Sequence, residues 1–177
     1  MGAGVAWEVR EARLEDASRL ALVGAATFLE TFAGILDGSA IVAHCDAEHS
    51  AAAYSRYLGA GCKAWLAETR EGSAPAGFAL LGSSSLPGTD PDGADLELKR
   101  IYSLSRFHGT GLGGALMAEA LAYASREGAQ RLLLGVYAGN ERAMAFYKKQ
   151  GFSRIADRRF RVGSRDYDDV VFAKILA

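Results

Sequence analysis

The sequence predicts an α/β domain: a mixed, mostly antiparallel sheet of about seven strands with about four helices on its faces. Three observations carry that prediction. The apolar pattern switches between a period near 3.6 and a period of two along one chain. A strand, a glycine-rich turn and an amphipathic helix succeed one another between Asp95 and Glu127. The last stretch, Phe152 to Leu176, reads as two strands folded about Gly163-Ser164.

Composition narrows the classes. The 177 residues, 50% of them apolar, fit a single domain over 1–177 with a sizeable core. A net charge of −1 supplies neither a basic patch nor an acidic tail, so nucleic acid and membrane partners are not expected. Two cysteines, Cys45 and Cys62, without a signal peptide or long apolar span, suit a reducing, cytoplasmic setting and read as small core residues. Met1-Gly2 begins like a myristoylation site, but Ala6 stands where Ser or Thr is required.

In chain order, a short strand around Trp7 to Arg10 precedes a helix that starts near Glu15-Asp16 and runs to Phe32, with Leu20, Val23, Phe28 and Leu29 as apolar positions. Gly34 to Cys45 reads as irregular, with Gly38 interrupting it, and Asp46 as the N-cap of a second helix through Leu58. His44 and His49 flank that start; with no second cluster at ligand spacing, no metal is expected and both histidines read as surface residues. KAWLAET and AGFALLGSSS are two antiparallel strands, and Leu86 to Gly93 is a polar loop.

The next strand, Leu96 to Leu104, breaks phase between Leu98 and Ile101, which predicts a bulge near Lys99-Arg100 that frees backbone N–H groups. Gly109, Gly111, Gly113 and Gly114 follow, before a helix whose apolar face carries Leu112, Leu116, Ala120 and Tyr123. Glycines let a ligand's oxygens reach backbone N–H groups, and a helix head adds unpaired donors and about half a positive charge. An anion belongs on this loop. Arg131 to Tyr137 is a buried strand, and Asn140 the N-cap of a helix to Gln150.

Arg106, Gly109 and Gly111 spell R-x-x-G-x-G after a strand ending IYS, and RLLLGVYAGNERAMAFYKKQGF follows at 131–152. Together these resemble the GNAT superfamily of acetyl-CoA-dependent N-acetyltransferases. The resemblance implies the acyl-CoA N-acyltransferase fold, a sheet splayed between its fourth and fifth strands, and acetyl-CoA as co-substrate. It implies that Ile101, Tyr102 and Ser103 run beside the pantetheine arm, with the diphosphate on Arg106, His108, Gly109, Thr110, Gly111, Leu112, Gly113 and Gly114. Asn140 and Tyr147 would also contact the coenzyme.

The family likewise suggests that Phe28, Glu30, Thr31 and Phe32 wall the acceptor site, with Glu30 greeting a cationic amine. An alkylamine with a pKa of about 10.4 must lose a proton before it attacks a thioester. Glu97 matches an acidic family position and reads either as that base or as a strand residue paired with Lys99. Tyr147 matches the family's acid, a phenol that protonates the departing thiolate; its other reading is an amphipathic tyrosine beside a core Phe146. No cysteine motif suggests an acetyl-enzyme, so attack is direct. ATFLETFAG looks most similar to members that act on small polyamines, which favours a small-molecule amine; a protein N-terminus or lysine is the alternative. Dimers are common in the family, so a homodimer is one expected assembly.

Two rivals stand beside this reading. Gly109, Gly111 and Gly114 also satisfy the dinucleotide fingerprint, but SRFH separates them from the strand and no acidic residue closes the next one. No Gly-Lys-Ser or Gly-Lys-Thr supports a nucleotide triphosphatase. The other rival is a domain that binds acyl-CoA without chemistry.

Overall fold

The computed structural model describes residues 5–90 and 92–176. The Met1-Gly2 start lies outside the described residues. Seven strands form one mixed sheet: β1 (Trp7–Glu11), β2 (Lys63–Thr69), β3 (Pro75–Ser83), β4 (Asp95–Ser103), β5 (Arg131–Tyr137), β6 (Ser153–Val162) and β7 (Arg165–Ile175), in the spatial order β1-β2-β3-β4-β5-β7-β6. β4 and β5 are parallel, through Asp95–Arg131, Leu96–Leu132 and Glu97–Leu133. A parallel pair needs a crossover, and helix α4 (Leu112–Arg126) supplies it. The remaining α-helices are α1 (Ala17–Phe32), α2 (Gly38–Glu48), α3 (Ala51–Gly59) and α5 (Glu141–Lys149).

The strands and α1, α4 and α5 fall where the sequence puts them. The region before β2 does not. In place of an irregular stretch and one helix from Asp46, there are two helices. Asp37 Oδ1 accepts from the N–H groups of Ser39 and Ala40 and caps α2 nine residues early, leaving Gly38 in the first turn, where its freedom costs little. Ser50 Oγ then caps α3 at the Ala53 N–H, so the chain turns a corner at His49.

Contacts divide the chain into two compact units, residues 1–80 with 100–120 and residues 81–99 with 121–177. In the first, Ala17, Leu20 and Val23 of α1 and Tyr54 of α3 pack with Leu66, Phe78 and Leu80 of the sheet. An ion network pins its amino-terminal strand. Arg10 binds Asp16 through two N–H groups at 2.7 and 2.8 Å and Glu68 at 2.7 Å, and Glu68 also meets Arg19. The Arg10 hydrogen bonds hold the Asp16 carboxyl down at about 2.

In the second unit β5 is buried along Leu132, Leu133 and Leu134, which explains its unbroken apolar run. β7 pairs antiparallel with β5 and with β6. Asp95, nearly fully buried, is clasped by Arg131 Nε and Nη2 at 3.0 and 2.6 Å. Among the described residues no helix is long and apolar enough to cross a membrane.

Candidate active site

The predicted coenzyme loop is built from local hydrogen bonds. Leu104 N–H closes on Ala76 O at 2.9 Å, and a single 3-10 turn, Ser105–Phe107, follows β4. Phe107 is buried and anchors it, while Arg106 is exposed with its guanidinium 5.6 Å from the Phe107 ring. His108 Nε2 lies 3.1 Å from Ser103 O, and Thr110 Oγ1 donates to Phe107 O at 2.7 Å. Gly109 and Gly111 have φ of +77° and +89°, a conformation that strains any residue with a Cβ. The first bond of α4 runs from Ala115 N–H to Gly111 O at 3.0 Å, so the N–H groups of Leu112, Gly113 and Gly114 precede it and project from the helix head. The structure thus gathers Arg106, His108, Gly109, Thr110, Gly111, Leu112, Gly113 and Gly114 at one helix entrance, with Ile101, Tyr102 and Ser103 leading into it. Leu112 is fully buried, so only its backbone is available to a ligand.

Glu30 belongs to this loop as much as to any acceptor wall. Its carboxylate accepts from Ser105 N–H and Ser105 Oγ, both at 3.0 Å, and so ties the end of α1 to the 3-10 turn. Thr31 Oγ1 donates back to Thr27 O at 2.8 Å. Phe28 and Phe32 instead enter an aromatic cluster, their ring centroids 4.5 Å apart.

That cluster holds the residues sequence reasoning missed. His49 was expected on the surface but is 3% exposed; the corner between α2 and α3 turns its ring inward. His44, expected beside it on the surface, is half-buried and stacks on Phe28 at 4.3 Å. The His49 centroid lies 5.4 Å from Phe28 and 6.2 Å from Tyr102, and its Nδ1 is 2.9 Å from the Tyr54 hydroxyl. Burial, aided by nearby Arg100, drives the His49 imidazole down to about 3, so it stays neutral. Burial also pushes the Tyr54 phenol up.

Arg100, from β4, completes the cluster with a side chain 10% exposed. Its Nη2 donates to Glu48 Oε2 at 3.0 Å and to the Tyr57 hydroxyl at 3.3 Å, and Tyr57 donates to the same Glu48 oxygen at 2.6 Å. The guanidinium also lies against the rings of Tyr57 and Tyr54, 4.8 and 5.5 Å from their centroids. Tyr54 and Tyr57, three apart on α3, share one helix face. That spacing was the signal available in the sequence.

In the second unit, Glu97 is paired as one of its two readings foresaw: its Oε2 accepts from Lys99 Nζ at 3.3 Å and from Ser85 N–H at 3.2 Å. Asn140 Oδ1 caps α5 at the Ala143 N–H, 3.1 Å away. Of the Phe146-Tyr147 pair, Tyr147 is the buried member at 8% exposed and Phe146 only half-buried, the reverse of expectation. The cause is the end of α5. Gly151, at φ +87°, lets Phe152 N–H reach Tyr147 O at 3.1 Å and Gly151 N–H reach Lys148 O at 3.0 Å, which folds the Phe152 ring to 6.1 Å from that of Tyr147. Cys45 and Cys62, in the first unit, are half-buried rather than fully buried, Cys62 packs against the core there, and burial raises the Cys45 thiol.

Comparison with known proteins bears on the family and the fold. The sequence pattern of the "Acetyltransferase (GNAT) family" matches residues 29–152. An uncharacterised N-acetyltransferase of Mycobacterium tuberculosis is 36% identical over 163 residues, covering 92% of this chain and 99% of the relative. Among solved structures, a GCN5-related N-acetyltransferase of Rhodopseudomonas palustris superposes with a TM-score of 0.76 at 19% identity, covering 99% of each chain. PaiA N-acetyltransferase of Thermoplasma acidophilum, solved in complex with coenzyme A, superposes at 0.73 with 19% identity, over 96% of this chain and 99% of that one.

Proposed function

Since the chain belongs to the GNAT acetyltransferase family and is an N-acetyltransferase, we propose that it moves acetyl from acetyl-CoA directly to the primary amine of a small molecule, with the coenzyme diphosphate on residues 106–114. The observation that carries this is the row of backbone N–H groups at the head of α4, opened by Gly109 and Gly111. Coenzyme A in the related PaiA structure supports the co-substrate.

The acceptor arrives as an ammonium and must lose a proton; Glu97 takes it, directly or through water. The amine nitrogen then bonds to the thioester carbonyl carbon, and a backbone N–H near Tyr102 steadies the oxyanion. Collapse breaks the carbon–sulfur bond, the Tyr147 hydroxyl gives its proton to the coenzyme thiolate, and the resulting phenolate takes up the second proton that the nitrogen sheds as the amide forms. No acetyl-enzyme is needed. The half-buried Cys45 thiol, raised by burial, is poorly suited to attack.

The test is release of free coenzyme thiol across a panel of small amines, spermidine included, for the natural protein, Tyr147→Phe and Glu97→Gln. At least one amine should turn over, and Tyr147→Phe should lower kcat roughly 100-fold or more. If acetyl-CoA binds while no amine is acetylated, the protein is a coenzyme-binding domain; unchanged turnover in Tyr147→Phe moves the acid elsewhere.

A further inference from the structure

Among the described residues two buried side-chain nitrogens lack a hydrogen-bond partner, His49 Nε2 and Arg100 Nη1, and both belong to the aromatic cluster beside the end of α1. Leaving one buried donor unmatched is costly, so two in one cluster point to a missing partner. Its polarity can be read from the network. A guanidinium only donates, and Arg100 has already given Nη2 to Glu48 and Tyr57. The Arg100 cation beside the Tyr54 ring favours the phenol as donor to His49 Nδ1, which leaves the hydrogen of the neutral imidazole on Nε2. Two buried donors of one cluster are therefore left without an acceptor, and Phe28, His44 and Tyr102 surround the His49 ring.

We infer that the acceptor is an amino acid, whose carboxylate is held by Arg100 Nη1 and His49 Nε2 while its amine takes the acetyl group. This rests on the acetyl-transfer reading and narrows it. It also turns the expectation away from polyamines. Glu30, the carboxylate meant to greet a cation, is bonded to Ser105, and a polyamine nitrogen would face the Arg100 cation. His49 is held at about 3, too weak a base to take a proton from an ammonium, so its part is to hold and orient.

Matched pairs that differ by one carboxylate decide the matter: ornithine against putrescine, lysine against cadaverine, phenylalanine against phenethylamine, each assayed for kcat/KM at saturating acetyl-CoA. The carboxylate member of at least one pair should be preferred roughly 10- to 100-fold. Arg100→Met should bring that ratio close to one, with Arg100→Lys between, while the KM for acetyl-CoA changes little. Equal or better use of the decarboxylated amines by the natural protein overturns the inference. Should no amine turn over although acetyl-CoA binds, the transfer reading has failed. Calorimetry of phenylalanine and phenethylamine with the coenzyme A complex then judges this one alone: tighter binding of phenylalanine upholds it, and equal binding overturns it. The same calorimetry serves if Arg100→Met does not fold.

Discussion

The glycine loop at the head of α4 and the cluster around His49 lie in the same compact unit, yet they are built by opposite means. The loop is mostly exposed, is held largely by hydrogen bonds between residues at most five apart together with Glu30 and the Ala76 carbonyl, and offers backbone N–H groups. The cluster is buried, draws on α1, α2, α3 and β4, and offers side chains. A backbone site depends on a few torsion angles, whereas a side-chain site depends on everything packed around it. Damage to the cluster should therefore register as lost stability, and damage to the loop as lost coenzyme affinity.

The sharpest way to break that contrast is Gly24→Ala. In an open helix this change gains about 1 kcal/mol. Here a Cβ would stand 2.5 Å from His49 Nδ1 and 2.5 Å from the Tyr54 hydroxyl. The added methyl must force apart a buried hydrogen bond, and we expect a net loss of about 3 kcal/mol in chemical denaturation. A stabilised Gly24→Ala protein would show that the cluster is loosely packed.

Acid probes the same cluster more gently. The His49 imidazole titrates near 3 when folded and near 6.5 when unfolded, so from pH 6.5 downward the unfolded chain binds the extra proton. Stability is therefore present above 6.5 and lost as pH falls. The groups facing His49 are Arg100, His44, Glu48, the Tyr54 hydroxyl and the Tyr102 ring. His44, also lowered by burial, acts in the same direction. Glu48 and Asp16 are held below their ordinary values, so their contributions fade only at lower pH. Between pH 7 and pH 5, His49 alone should cost about 2 kcal/mol, measured by denaturation at the two pH values. His49→Gln, which cannot titrate, should lose distinctly less over the same interval.

The two regions also differ in how far the sequence discloses them. Gly109 and Gly111 announce themselves because only glycine sits easily at a φ of +77° or +89°, and the strands show their faces residue by residue. Asn140 was legible as a cap for the same local reason. Nothing local marks His49. It follows an unremarkable helix, and its burial depends on Ser50 starting α3 and on Gly24, 25 residues earlier, leaving room for the Nδ1–Tyr54 bond. Gly38 read as a breaker because the Asp37 cap before it went unrecognised. Likewise, hydrophobicity ranks Phe146 above Tyr147 for the core, and the structure reverses that order. The ring of Phe152, brought round by Gly151, decides which one is covered.

Gly111→Ala completes the contrast from the loop side. An alanine at φ +89° costs about 1 to 2 kcal/mol, but the stiffer unfolded chain returns part of that, and the added Cβ would meet nothing closer than Trp7 Cζ2 at 3.9 Å. The net loss of stability should be about 1 kcal/mol, smaller than that of Gly24→Ala. If Gly111 relaxes toward a negative φ, the N–H groups of Leu112 and Gly113 swing away from a bound diphosphate, and the KM for acetyl-CoA should rise about tenfold. The acceptor KM should hold, because Phe28, His49 and Arg100 lie off the altered turn. Thermal denaturation and steady-state kinetics on the same preparation separate the two effects. An unchanged KM for acetyl-CoA would mean that the diphosphate does not rest on this turn.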